Sequence, residues 1–178
     1  MGISVFPAAG GGPTLTEISG VTPFPTWTTV ANGTSWNGTT TLTVTGLSSY
    51  KTLKMWYYFD NNNTSDANFR FNGDTGSNYK YVSYIANNGS YINGDITSTD
   101  RINLGYNSSS GQVLGGFIEI DNNGSTTGPK LISGWMKRGD SSRLTDFKGV
   151  YTSNSVISSF TFVSTSNVTN SQIYILGR

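Results

Sequence analysis

The sequence predicts an all-β protein: an antiparallel β-sandwich, jelly-roll-like, with an extended N-terminal arm. Three observations predict it. From Thr39 onward, apolar and polar residues alternate with period two in about ten short segments. The spacers between those segments are rich in Asn, Asp and Gly, which tolerate positive φ and close tight hairpins. No segment of helical length carries a convincing 3.6-residue period.

Residues 1–38 form the arm. They hold Pro7, Pro13, Pro23 and Pro25 and the run Gly10-Gly11-Gly12, a composition that resists regular structure and favours an extended path. The segment also carries apolar side chains, which a plain linker would lack. Phe6, Leu15, Phe24 and Trp27 read as anchors, set either on a neighbouring surface or on the chain's own sandwich.

Residues 39–178 form the sandwich domain. Leu42 and Val44 alternate with threonines. Leu53, Met55, Tyr57 and Phe59 share one face of the next strand, with Lys54, Trp56 and Tyr58 on the other. Phe69 and Phe71 face one way, as do Tyr79 and Tyr81. Strands follow over 101–106, 113–120, 130–136, 146–151, 156–163 and 171–176. The turns fall at 60–63, 72–74, 87–89, 93–95, 121–124 and 139–140. Regular short strands joined by such turns mean a sandwich or barrel.

Composition bounds the chemistry. The chain of 178 residues has 35% hydrophobic residues, only 12% charged residues and a net charge of +1. That balance supplies no field to draw nucleic acid or an anionic membrane, so neither is expected as a partner. Cysteine and histidine are both absent. Disulfides, thiolate zinc sites and Ser-His-Asp or Cys-His catalysis are therefore excluded within the chain. The N-terminus lacks the basic and apolar regions of a secretory signal. No stretch has the length of a transmembrane helix.

An all-carboxylate enzyme is the remaining catalytic option, and it needs two acids placed across a cleft. Most of the acids sit in Asn/Gly-rich turns; Glu119 alone lies mid-strand, and no spacing selects a pair. The expectation is therefore a non-enzymatic protein with no catalytic residue. The loops 60–66 and 121–125 cluster oxygen donors but lack the twelve-residue calcium pattern, so no metal or cofactor is assigned. Trp56, Tyr58 and Trp135 are candidates for stacking on a sugar. Because a strand apolar on both faces is usually covered on both, burial of Trp56 and Tyr58 under the arm or a partner is the favoured expectation.

The segment Phe71-Asn72-Gly73-Asp74-Thr75-Gly76-Ser77-Asn78-Tyr79 reads as a strand end, a tight turn and a strand start. In this loop, in the bulky strand 53–59 before it and in the paired strands 156–162 and 173–177, the chain resembles tailed-bacteriophage virion structural proteins. The resemblance covers residues 47–178 and implies no catalytic residue. It implies a sandwich on the capsid exterior of a virion assembled from protein made in the host cytoplasm. The leading expectation is a capsid decoration (cement) protein. Its partners would be the major capsid protein and the sister subunits of a homotrimer, reached through the arm. The alternative is a tail-associated receptor-binding module that holds host surface glycans through Trp56, Tyr58 and Trp135.

Overall fold

The computed structural model describes residues 27–34, 38–61, 65–87, 90–107, 112–121, 123–138, 144–165 and 167–178. The protein is an antiparallel β-sandwich, with no helix among the described residues. Its strands are β1 (Thr28–Thr34), β2 (Thr41–Thr45), β3 (Leu53–Asn61), β4 (Ser65–Phe71), β5 (Tyr79–Asn87) and β6 (Ser90–Thr99). They continue as β7 (Ile102–Asn107), β8 (Gln112–Asp121), β9 (Lys130–Arg138), β10 (Leu144–Tyr151), β11 (Ser159–Ser164) and β12 (Val168–Gly177). Eight strands form one sheet in the order β1-β12-β3-β8-β9-β10-β5-β6, and four form the other in the order β2-β11-β4-β7.

Two strands depart from the sequence reading. Thr28–Thr34, assigned there to the arm, is the edge strand β1 and pairs with β12 through two register shifts. Its Thr-rich sequence, paired on one side only, shows no alternation from which a strand could be read. Asn93-Gly94-Asp95, read as a turn, lies inside β6, where Gly94 pairs with Ser83. The ladder to β5 supplies what local turn propensity argued against.

Registered rows of side chains run across the large sheet. On the inner face, Ile173, Tyr57, Gly116 and Met136 form one row. Ile175, Met55, Ile118, Gly134 and Phe147 form the next. Three of the inner glycines are cross-strand partners of aromatics: Gly116 of Tyr57, Gly134 of Phe147 and Gly149 of Tyr81. A Cβ at these positions would stand 2.5 Å from the Tyr57 hydroxyl, 2.8 Å from the Phe147 ring and 2.4 Å from the Tyr81 Cβ. The Tyr57 and Phe147 rings lie over bare backbone, and that is how a large aromatic packs into the thin space between sheets. The small sheet answers with Phe69, Phe71, Phe160 and Phe162, all fully buried. Its outer face is polar, with Thr43 against Thr161 and Arg70 paired to Asp100 at 2.6 Å.

One polar atom in this core lacks a partner. The Tyr57 hydroxyl is buried with no hydrogen bond among the described residues, and burial pushes its ionisation far above the ordinary tyrosine range. An orphaned hydroxyl costs about 1–3 kcal/mol of desolvation. Tyr57→Phe is therefore expected to raise the unfolding free energy by about 1 kcal/mol in denaturant titration. A comparable loss instead would mean that the hydroxyl is satisfied.

Candidate functional site

The pleat that buries Tyr57 turns its neighbours outward. Trp56 and Tyr58 stand on the outer face of the eight-stranded sheet, 39% and 37% exposed, and Trp135 on β9 is 44% exposed. The expected cover over this strand is therefore not supplied by the described part of the chain. The physical reason lies in the topology. The four-stranded sheet covers one face of the eight-stranded sheet, and no second layer is built on the other among the described residues.

Register assembles these side chains into one feature. Tyr174 pairs with Trp56, Trp56 with Phe117, and Phe117 with Trp135, one aromatic on each of β12, β3, β8 and β9. The rings of Trp56 and Phe117 lie 5.1 Å apart at 49°. In the row beside it, Gln172, Tyr58, Gly115 and Lys137 are successive partners. Gly115 has no side chain, and the row dips there. The result is an open groove of about 440 Å³ lined by Trp56, Tyr58, Gly115, Trp135, Lys137 and Tyr174, with Gln172 at the β12 end. That volume lies within the range of small-ligand sites, about 300–1,000 Å³.

The two adjacent glycines differ in direction. A Cβ at Gly116 would point inward and meet the Trp135 carbonyl at 2.5 Å, whereas at Gly115 it would make only an ordinary 3.6 Å contact with the Tyr57 carbonyl. Gly116 makes room for the core and Gly115 leaves room on the outside. Polar groups frame the aromatic walls. The Tyr58 hydroxyl accepts from Asn170 Nδ2 at 3.1 Å, and the Tyr174 hydroxyl donates to Gln172 Oε1 at 3.0 Å. Lys54 and Glu119, one row away, neutralise each other at 3.3 Å.

The sequence reading named Trp56, Tyr58 and Trp135 for this face, and the structure brings all three together. It missed Gly115, Phe117, Lys137, Gln172 and Tyr174. A glycine inside a strand was an available sign of close approach by a ligand or another backbone. Among the arm anchors, Phe6, Leu15 and Phe24 lie outside the described residues. Trp27 is half-buried on its own sandwich, with Lys54 Nζ 4.9 Å and Arg178 Cζ 4.8 Å from its ring.

The other candidate loops have structural work. The loop 71–79 carries the chain from β4 in the small sheet to β5 in the large one. Asn72 and Gly73 both take left-handed backbone, at φ 53° and 65°, closed by a 2.8 Å bond from Asp74 N–H to the Phe71 carbonyl. Gly76 in the same loop takes no left-handed backbone. Asp74 accepts hydrogen bonds from Gly76 N–H, Asn78 Nδ2 and the Tyr151 hydroxyl at 2.7–2.8 Å. Burial opposes its charge, yet these bonds hold its carboxyl below the usual carboxylate value. The Tyr151 hydroxyl, desolvated and donating to Asp74, is pushed up to about 12. Asn72 Oδ1 accepts the Ser158 N–H at 2.8 Å, which ties in the segment before β11.

In the loop 121–125, Asn123 is fully buried. Its amide donates to the Leu47, Tyr50 and Ile157 carbonyls, and its oxygen accepts the Ile157 N–H at 2.8 Å. It is a clasp between loops. In the loop 60–66, residues 62–64 lie outside the described ones. No group of three or more potential His, Cys, Asp or Glu metal ligands occurs among the described residues.

The fold and the groove define the class: an antiparallel two-sheet β-sandwich with an aromatic groove on the sheet face that the described residues leave uncovered. No family model and no curated protein matches the sequence. Among solved structures it is similar to the galectin LEC-6 of Caenorhabditis elegans, at 12% identity and TM-score 0.33, over 80% of this chain and 93% of that one. It is similar to a human SPRY domain at 11% identity and TM-score 0.28, over 85% and 82% of the two chains. It is also similar to the PL-14 alginate lyase of Aplysia kurodai at 11% identity and TM-score 0.26, over 71% and 70%.

Proposed function

We propose that this chain is a non-enzymatic saccharide-binding module and that its aromatic groove holds a host surface glycan for a phage particle. The observation that carries the reading is the outward row Tyr174, Trp56, Phe117 and Trp135 beside the dip at Gly115. Sugar rings present flat C–H faces that pack on aromatic rings, and hydroxyl edges that need polar partners such as Gln172 and Lys137. Binding rather than hydrolysis is supported by the lining, which contains no carboxylate among the described residues, whereas a glycosidase needs a pair. The phage setting rests on the sequence resemblance alone.

The test is a glycan array of bacterial surface polysaccharides followed by titration of the hits. Trp56→Ala and Trp135→Ala are each expected to weaken binding by about tenfold or more, with the thermal midpoint unchanged. A second reading, the capsid decoration protein, is supported by Leu131 and Leu144, 56% and 46% exposed on the same outer face, which a neighbouring subunit could cover. An array without hits, together with a trimer in light scattering that both tryptophan variants dissociate, would replace the first reading with the second.

A further inference from the structure

The groove does not end the row. Beyond Trp135 the same register continues to Asp146 on β10 and then to Tyr84 on β5. Tyr84 is the more exposed aromatic, at 48%, and Asp146 is exposed between it and Trp135. Neighbouring strands lie about 4.8 Å apart, so the row from Tyr174 to Tyr84 crosses six strands and spans roughly 24 Å. The groove alone, from β12 to β9, spans roughly 14 Å.

Building on the saccharide reading, we infer that the ligand is an internal stretch of a linear, neutral polysaccharide laid across the strands, with Tyr84 as a distal stacking platform. Three features carry this. The first is the spacing, with an aromatic on four successive strands and a fifth two strands further on. The second is the residue between Trp135 and Tyr84: Asp146 is a hydrogen-bond acceptor suited to sugar hydroxyls. The third is charge. Asp146 has no ion pair among the described residues, and its carboxylate would repel an acidic saccharide in the row itself. The cations of Lys137, opposite Leu144, and Lys148, opposite Ser133, lie one row away on either side, so among the described residues the carboxylate is the one charge in the row itself.

Calorimetric titration of the full chain with neutral cello-, manno- and chito-oligosaccharides, from disaccharide to hexasaccharide, tests this. Affinity in the series that binds should rise by about tenfold between trisaccharide and hexasaccharide. Tyr84→Ala should remove that gain and leave the trisaccharide unaffected. An affinity that plateaus at the trisaccharide, with Tyr84→Ala silent, overturns the extended site and leaves the groove reading intact. Tighter binding of a uronic-acid or sulfated series overturns neutrality. No binding in any series, with a Tyr84-dependent dimer in light scattering, overturns both readings and gives the face to a second copy of the chain.

Discussion

A chain carrying Gly115→Leu is expected to fold as the parent does and to bind glycan about a hundredfold more weakly, a loss of roughly 2.8 kcal/mol. The reason is geometric. Position 115 faces outward, and a Cβ there makes one ordinary contact, 3.6 Å from the Tyr57 carbonyl. The rest of a leucine side chain must then stand between Tyr58 and Lys137, in the space the ligand would occupy. The strand itself should not suffer, because glycine is a poor strand residue and its replacement on an open face is neutral or favourable by about 0.5–1 kcal/mol. Titration and thermal denaturation read the two effects separately. Parental affinity in the leucine variant would place the ligand away from the groove. Loss of binding with loss of fold would show that the outer face lacks the room assigned to it.

Phe71→Ala is expected to have the largest effect on stability, a loss of about 4 kcal/mol. The Phe71 ring lies 5.0 Å from Tyr151, 5.1 Å from Phe69, 5.4 Å from Phe160 and 5.7 Å from Tyr79. Phe69 and Phe160 belong to the small sheet, and Tyr79 and Tyr151 to the large one. Removing Phe71 opens a cavity where the sheets meet, beside the crossover loop that Asp74 holds closed. For a chain of this length the thermal midpoint should fall by about 10 °C. A loss below about 1 kcal/mol in denaturant titration would mean that the two sheets are held elsewhere.

The inward faces were legible in the sequence because burial imposes a strict period of two. Leu53, Met55, Tyr57 and Phe59 alternate with Lys54, Trp56 and Tyr58, and all four are buried as that alternation requires. The same holds for Phe69 with Phe71 and for Tyr79 with Tyr81. Strands β1 and β6 were not legible. Each lies at a sheet edge, and its local Thr, Asn and Gly content is that of a turn, so only the ladder to a neighbour makes it a strand.

The groove was half legible. Alternation placed Trp56 and Tyr58 opposite the core residues, but it could not say whether that face was covered, because coverage depends on which layers the topology supplies. Nor could it bring Trp135, Phe117 and Tyr174 beside them. Those residues are distant in sequence, and only the pairings of β12 with β3, β3 with β8 and β8 with β9 set them in one row. By itself, the sequence determined the side of each strand that faces inward, since that follows from the local pleat. The tertiary structure decided which outward side chains stand together and which face the described residues leave uncovered, because strand order and register are settled by contacts far apart along the chain.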